Sequence, residues 1–191
     1  MVGSRMIKAI IFDFFGVIRT DAYIAWLQKN NIPHESAYFD ASYQQDMGKS
    51  TSEEFFARLS QLQGRSVTKE EMDIGATVDE AVVAIVKNLK QQYKLALLSN
   101  SAGSVRRLLQ EHDLEQYFDE VIISSEVGMV KPSAEIFQLT MDRLGVTASE
   151  AIFIDDNAGH VQAAEKLGIK SILFVSAEQL TRDLASVGVK V

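Results

Sequence analysis

Short runs of apolar residues recur along the chain and alternate with segments in which apolar positions repeat every three to four residues. The runs are nearly continuous in Ile, Leu, Val, Phe and Ala, which is typical of strands buried on both faces inside a parallel sheet. They lie at residues 7–14, 94–98, 120–123, 151–154 and 171–175. We therefore predict five short strands.

Helices are predicted between these runs, at residues 101–112, 133–144 and 157–167. Each begins at or after a polar residue or a proline, and Gly145 and Gly168 follow the last two, as expected for helix starts and stops. Strands that alternate with helices predict an α/β fold, a doubly wound parallel sheet with right-handed crossovers.

Residues 19–80 interrupt this alternation, because they contain helical patterns and no convincing strand. The helical candidates are 22–29, 35–45, 52–63 and 68–72. An insert placed directly after the first strand is expected to cover the carboxyl edge of the sheet, where ligands bind in open α/β folds. We predict a core of residues 6–18 and 81–191 and a small helical cap of residues 19–80.

Composition and charge exclude several classes of function. A chain of 191 residues that is 47% apolar suits one α/β domain with a small insert. The absence of cysteine excludes disulfides and thiolate metal sites and fits a cytoplasmic protein. A net charge of −7 without a basic run argues against nucleic-acid binding, and no segment has the pattern of a membrane span or signal peptide. We leave residues 1–5 out of the fold prediction, because Met6 would be a natural start.

Aspartates follow two of the predicted strands. Asp13 ends the first apolar run, and Asp155 and Asp156 follow the fourth. An ionised carboxylate at the end of a buried strand is costly unless it is paired or metal-bound, although a single aspartate there serves equally well as a turn or cap residue. Two adjacent carboxylates favour a cation beside them, and a few oxygen ligands are what Mg²⁺ prefers.

Polar residues also mark the ends of two other elements. Ser99 and Asn100 precede a predicted helix, whose N-terminus would favour a phosphate, although the same residue types serve as helix caps. Lys131 precedes another helix, where a cation opposes the helix dipole; this indicates pairing with an anion, with a solvated loop lysine as the alternative. We expect all of these groups to converge at one edge of the sheet.

In their order and spacing these residues resemble the four motifs of the haloacid dehalogenase-like superfamily, and the resemblance spans residues 6–175. The motifs are IFDFFGVI at 11–18, LSN at 98–100, KP at 131–132 with EIF at 135–137, and FIDDN at 153–157 running into HVQAA at 160–164 and LG at 167–168. The resemblance implies a Rossmann-like core, and it identifies the insert as the superfamily's helical cap.

The resemblance also implies a magnesium-dependent phosphatase that acts on a small phosphorylated metabolite. Asp13 would attack phosphorus and form an aspartyl-phosphate, which splits one difficult displacement into two easier ones. The implied catalytic residues are Asp13, Ser99 and Lys131, and the implied substrate-binding residues are Ser99, Asn100 and Lys131. The implied Mg²⁺ ligands are Asp13, the backbone carbonyl of Phe15, Asp156 and, in support, Asp155.

Phe15 departs from the motif, because most phosphatases of the superfamily have aspartate at this position as general acid and base. Phenylalanine can do neither, and such help is typically worth about 10²–10⁴-fold in rate. The backbone carbonyl is unchanged, so metal binding survives. Some subfamilies that resemble this chain also lack the aspartate and are still phosphatases. We therefore expect slow turnover or a substrate with a good leaving group.

Two alternatives remain open. An aromatic residue two places after the nucleophile is similar to the 2-haloacid dehalogenases of the superfamily, which attack carbon without a metal. Asp155 and Asp156 argue against that reaction, since unscreened carboxylates would repel a carboxylate substrate. The other alternative is a catalytically impaired module that binds a phosphorylated ligand or a protein, and Phe15 alone supports it.

Aromatic residues and histidines add little to the prediction. Three aromatic residues of the predicted cap are candidates to line a pocket, although such spacing is more often that of a core: Tyr23, Trp26 and Tyr43. The histidines receive no catalytic role. We expect a surface position for His34 and His112 and a position facing either solvent or the site for His160.

Overall fold

The centre of the computed structural model, which describes residues 6–33 and 36–191, is a five-stranded parallel sheet with the strand order β3-β2-β1-β4-β5. The strands are β1 (Ala9–Phe12), β2 (Lys94–Ser99), β3 (Glu120–Ile123), β4 (Ala151–Asp155) and β5 (Lys170–Leu173). The order runs outward from β1 in both directions. The predicted doubly wound α/β fold is therefore confirmed.

The central strand β1 shows why the sequence pattern is apolar without alternation. Every residue of β1 is fully buried. Ile10 and Phe12 belong to the hydrophobic cluster on one face of the sheet, and Ala9 and Ile11 belong to the cluster on the other face. This division follows the two-residue period of a strand. With both faces covered, no position of β1 favours a polar side chain.

In the described part of the chain after β1, the cap is formed by the helices α1 (Ala22–Lys29), α2 (Ala37–Asp46), α3 (Ser52–Gln63) and α4 (Lys69–Met72). Their apolar side chains form a separate cluster around Trp26 and Leu59. A capping box between Thr51 and Glu54 starts α3, and Gly64 ends it in the left-handed conformation with φ 65°. The predicted bounds of α1 and α3 agree with the structure. The proposed domain boundaries at residues 19–80 stay a prediction.

The remaining helices cover the two faces of the sheet. They are α5 (Glu80–Leu89), α6 (Ser104–Glu111), α7 (Ser124–Val127), α8 (Ala134–Leu144), α9 (Ala158–Lys166) and α10 (Ala177–Ser186), with single 3-10 turns at Glu115–Tyr117 and Ala148–Glu150. Apolar residues of α5, α6 and α10 pack on one face, and those of α8 and α9 pack on the other. No helix in the described ranges has both the length and the apolar character to cross a bilayer.

Several predicted ends need correction. The predicted strand 7–14 is longer than β1, because Phe14 stays buried after the chain has left the sheet. The predicted helix 101–112 begins only at Ser104. Ser101 is held in the preceding loop, because its N–H donates to Ser124 Oγ at 2.9 Å and its hydroxyl donates to the carbonyl of Ala102 at 2.6 Å. The predicted start of α2 at residue 35 lies outside the described residues, and the sequence prediction lacks α5, α7 and α10.

Candidate active site

Polar side chains gather at the carboxyl ends of the three central strands. Asp13 follows β1 directly, Ser99 is the last residue of β2, and Asp155 is the last residue of β4. Because β1 pairs in parallel with both β2 and β4, these ends lie side by side. Lys131 reaches the same edge from the segment between α7 and α8. The structure thus brings together four residues that the sequence placed at one edge of the sheet.

Lys131 is the centre of a buried ion cluster. Its side chain is fully buried, and its Nζ lies 2.9 Å from Asp13 Oδ1 and 2.7 Å from Asp155 Oδ2. Asp155 Oδ1 also accepts a hydrogen bond from the backbone N–H of Asn157 at 2.8 Å. The backbone N–H of Phe14 donates to Asp13 Oδ1 at 2.6 Å. These contacts fix the two carboxylates on either side of the ammonium.

The cluster contains two carboxylates and one ammonium, and the pKa values of all three groups are shifted. Burial raises the pKa of Asp13 well above its ordinary value, and the nearby charge of Asp155 adds to this effect although Lys131 opposes it. Burial also acts to raise the pKa of Asp155, but Lys131 and His160 hold that pKa well below its usual range. Burial disfavours the charged form of Lys131, yet the two aspartates raise its pKa. A further positive charge near Asp13 would favour its ionised form.

Ser99 and Asn100 play different parts at the end of β2. Ser99 is fully buried, and its Oγ has no hydrogen-bond partner among the described residues. The side-chain amide of Asn100 binds the backbone of Lys131 twice: Nδ2 donates to the Lys131 carbonyl at 2.9 Å, and the Lys131 N–H donates to Oδ1 at 2.8 Å. Asn100 therefore holds the Lys131 segment against β2, while Ser99 presents an unpaired buried hydroxyl.

Asp156 lies against the loop that follows Asp13. Gly16 adopts φ +81°, and a Cβ built there would fall 2.1 Å from Asp156 Oδ2. The Asp156 carboxylate thus occupies the space that a side chain at position 16 would fill. Asp156 is exposed, in contrast to Asp155, which is fully buried.

His160 joins the cluster, although the sequence analysis gave it no role. Its Nδ1 lies 3.1 Å from Asp155 Oδ2, and ligand atoms of Asp13, Asp155 and His160 lie within 4.8 Å of one another. The available signal was its position in the first turn of the helix after β4, where Asn157 is the N-cap. His112 is exposed as predicted, and His34 lies outside the described residues.

A cavity of about 160 Å³ separates the cap from the sheet edge. The core contributes Phe15, Asn100 and Ser101 to its wall, and the cap contributes Tyr23 and three acids, Asp21, Asp46 and Asp73. Of the other candidate aromatic residues, Trp26 belongs to the core of the cap and Tyr43 is exposed.

Two of the three acids on the cavity wall, Asp21 and Asp46, have raised pKa values. Burial raises the pKa of Asp46 to about 7, and the neighbouring charge of Asp21 adds to this effect. Burial also raises the pKa of Asp21, whose Oδ1 accepts the N–H of Ile24 at 2.9 Å as the N-cap of α1. The sequence analysis did not single out either residue.

The doubly wound sheet, the helical cap and the buried acid–lysine–acid cluster at the carboxyl edge define a capped α/β enzyme whose site is built on the ends of its strands. The model of the haloacid dehalogenase-like hydrolase family matches residues 7–168 of this chain. The chain therefore belongs to this family and is a hydrolase, which confirms the resemblance seen in the sequence.

Individual relatives are more distant. D-ribitol-5-phosphate phosphatase of Bacteroides thetaiotaomicron is 29% identical, over 87% of this chain and 91% of its own length. The (S)-2-haloacid dehalogenase of Xanthobacter autotrophicus is 26% identical, over 95% of this chain and 81% of its own. A family enzyme from Bacteroides thetaiotaomicron, solved with magnesium and inorganic phosphate, has a TM-score of 0.69 and 24% identity over 87% of this chain and 93% of that chain, which shows a shared fold.

Proposed function

We propose that the protein is a magnesium-dependent phosphatase that hydrolyses a small phosphate monoester through an aspartyl-phosphate on Asp13. The observation that carries this proposal is the fully buried Lys131 ammonium, held 2.9 Å from Asp13 and 2.7 Å from Asp155. A phosphatase among the relatives and a fold neighbour solved with magnesium and phosphate support it.

Lys131 and Ser99 supply the groups that bind the phosphoryl oxygens. The Lys131 ammonium offsets the repulsion between the Asp13 carboxylate and the phosphate dianion. The unpaired Ser99 hydroxyl gains a hydrogen bond when a phosphoryl oxygen lies beside it, and this contact relieves the cost of an unsatisfied buried donor. Asn100 holds the Lys131 backbone and lines the cavity, so its part in substrate binding includes the position of Lys131.

The residues at this edge fit a magnesium ion. Asp13, the carbonyl of Phe15 and Asp156 would hold it with oxygen ligands, and Asp155 would support them from the Lys131 cluster. The fit rests on Gly16, since only a residue without a Cβ leaves the Asp156 carboxylate room against this loop. When bound, Mg²⁺ would shield the attacking carboxylate from the negative charge of the phosphate.

A second candidate, a 2-haloacid dehalogenase, is favoured by one observation, the similarity to the Xanthobacter enzyme. The structure supplies a physical argument against it. Asp13, Asp155 and Asp156 outnumber the ammonium of Lys131. On the cavity wall three acids, Asp21, Asp46 and Asp73, outnumber two cations, Arg19 and Lys69. An excess of carboxylates repels a carboxylate substrate. It disfavours a phosphate substrate less, because Mg²⁺ would offset part of the negative charge.

The test is the release of inorganic phosphate from a panel of sugar, polyol and aryl phosphates, with Mg²⁺ or with EDTA. We expect activity with Mg²⁺, its loss in EDTA, and its loss in Asp13→Asn. Asp40→Asn, an exposed aspartate of α2, is the matched control and should retain activity. Metal-independent chloride release from 2-chloropropionate would support the dehalogenase, and Mg²⁺ binding without any turnover would support a binding module.

A further inference from the structure

Within the described residues, the loop that follows Asp13, residues 14–20, carries no carboxylic acid that could protonate the leaving oxygen. Phe15 occupies the position of the usual acid, and its ring packs edge-on against Phe14 at 5.0 Å and borders the cavity. We propose that Asp46, the last residue of cap helix α2, is the general acid and base of this site, an assignment that rests on the proposed phosphatase function.

The position of Asp46 is fixed by a contact between the cap and the core. The Ser124 hydroxyl donates to the backbone carbonyl of Asp46 at 2.6 Å, and the same Oγ accepts the N–H of Ser101 at 2.9 Å. The end of α2 is therefore tied to the loop that follows Ser99 and Asn100. Asp46 and Phe15 line the same cavity, Asp46 on the part of its wall that the cap contributes.

The surroundings of Asp46 suit proton transfer at neutral pH. Burial raises its pKa to about 7, Asp21 adds to the shift, and Lys131 and a hydrogen bond from Ser42 oppose it. A general acid is most effective when its pKa lies near the working pH. The other charged or titratable residues that border the same cavity are Arg19, Asp21, Tyr23, Lys69 and Asp73.

Asp21 is less suited to this role. Its carboxylate is the N-cap of α1 and accepts the N–H of Ile24. Protonation of that carboxylate would weaken a hydrogen bond that starts the helix. Asp73 is already paired with two cations of the cavity wall, Arg19 and Lys69. Asp46 is therefore the acid of the cavity wall that can exchange a proton at the smallest cost to the fold.

The proposed steps balance in atoms and charge. A carboxylate oxygen of Asp13 bonds to phosphorus while the bond from phosphorus to the ester oxygen breaks. The electron pair stays on that oxygen, and the protonated Asp46 gives it a proton, so that an alcohol leaves. Water then attacks the aspartyl-phosphate, and Asp46 accepts one proton of the water. The bond from phosphorus to Asp13 breaks, its electron pair returns to the carboxylate, and inorganic phosphate is released.

The test compares an alkyl phosphate with p-nitrophenyl phosphate, whose phenolate leaves without a proton. The quantity measured is kcat/KM, because it reports the formation of the aspartyl-phosphate. Hydrolysis of that intermediate, which is the same for both substrates, does not affect kcat/KM. Asp46→Asn should lose about 10²–10⁴-fold on the alkyl phosphate and less than about tenfold on the aryl phosphate. With the alkyl phosphate, kcat/KM of the wild type should fall as the pH rises through about 7, because Asp46 loses its proton. This fall should be absent in Asp46→Asn.

Two further variants sharpen the result. Asp40→Asn, exposed on the same helix, should match wild type on both substrates. Phe15→Asp added to Asp46→Asn should restore part of the alkyl phosphatase activity, because it returns an acid to the cavity. If Asp46→Asn does not fold by circular dichroism, Asp46→Ser replaces it in the same comparison.

The outcomes separate this inference from the function on which it rests. An equal loss on both substrates, or no loss on either, would overturn the role of Asp46 and leave the phosphatase standing. A wild type that hydrolyses neither substrate with Mg²⁺ would overturn the proposed function and the role of Asp46 with it.

Discussion

Replacement of Lys131 by methionine tests whether the buried ion cluster is needed for the fold as well as for the site. Methionine keeps most of the length of the side chain and removes its charge. It leaves Asp13 and Asp155 facing each other with no ammonium between them, in a place where the lysine side chain has no exposure to solvent.

The expected loss of stability is large for a single substitution. Removal of one partner from a buried ion pair typically costs about 3–5 kcal/mol, because the remaining charge stays buried and unpaired. With a urea m-value of about 2 kcal/mol/M, the unfolding midpoint should fall by about 1.5–2.5 M. An exposed pair should cost at most about 1 kcal/mol.

The loss should depend on pH in a defined direction. The pKa of Asp155 is depressed in the folded protein, so its contribution is present above its unfolded pKa and disappears as the pH falls through the folded value. The pKa of Asp13 is raised, so the folded state binds its proton more tightly than the unfolded state and gains stability as the pH falls. Lys131 lowers the pKa of both aspartates, so both pKa values should rise in folded Lys131→Met. The folded variant then gains more stability than the wild type as the pH falls, and its deficit should be greatest near pH 8 and shrink towards pH 5.

The assay is urea unfolding followed by circular dichroism at several pH values, with EDTA present so that bound metal does not stabilise the wild type. The control is Lys8→Met, because Lys8 pairs with Glu150 at 2.7 Å while its side chain is 59% exposed. A Lys131→Met midpoint equal to that of Lys8→Met, or a deficit that grows as the pH falls, would refute the reasoning.

Three further predictions concern the surroundings of the cluster. Gly16→Ala should weaken the Mg²⁺ dependence of activity about tenfold or more in a metal titration, because its Cβ would displace Asp156; an unchanged titration would contradict the fit. Ser124→Ala should cost about 1–3 kcal/mol in urea unfolding, because the Ser101 N–H and the Asp46 carbonyl lose a partner; unaltered stability would contradict this. Phe15→Asp should raise turnover of alkyl phosphates where leaving-group protonation limits the rate, and an equal or lower rate would argue against that limit.

Much of the fold follows from patterns that act locally. The five apolar runs predict the five strands, because a strand covered on both faces needs continuous apolar residues. Errors occur where a residue's burial or residue type does not match its backbone hydrogen bonds. Phe14 is fully buried yet lies beyond the last residue of β1, so the pattern extends the strand too far. Ser101 has the chemistry of a helix start, but its N–H is held by Ser124, which is 23 residues away in sequence.

The residues of the site likewise fall into those that the local sequence predicts and those that depend on tertiary contacts. Asp13, Ser99 and Asp155 converge because they follow neighbouring parallel strands, and the sequence order alone predicts that meeting. Asp46 could not be found by this reasoning, because its place depends on how the cap docks. The contact that docks it joins residues 78 positions apart. The sequence left His160 facing either solvent or the site, because a single histidine in a helix does not reveal a contact with Asp155.

This division matters for the mechanism. Lys131 and the two aspartates beside it are buried at the sheet edge. The ends of β1 and β4 position the aspartates, and Asn100 holds the backbone of Lys131. The proposed proton donor, Asp46, lies on the cap, and the hydrogen bond from Ser124 to the end of α2 holds that part of the cap against the core. An acid at position 15 would place the proton donor on the same loop as the nucleophile, Asp13. With Phe15 there instead, proton transfer to the leaving oxygen depends on the docked cap, so a loss of cap docking should affect alkyl phosphates more than aryl phosphates.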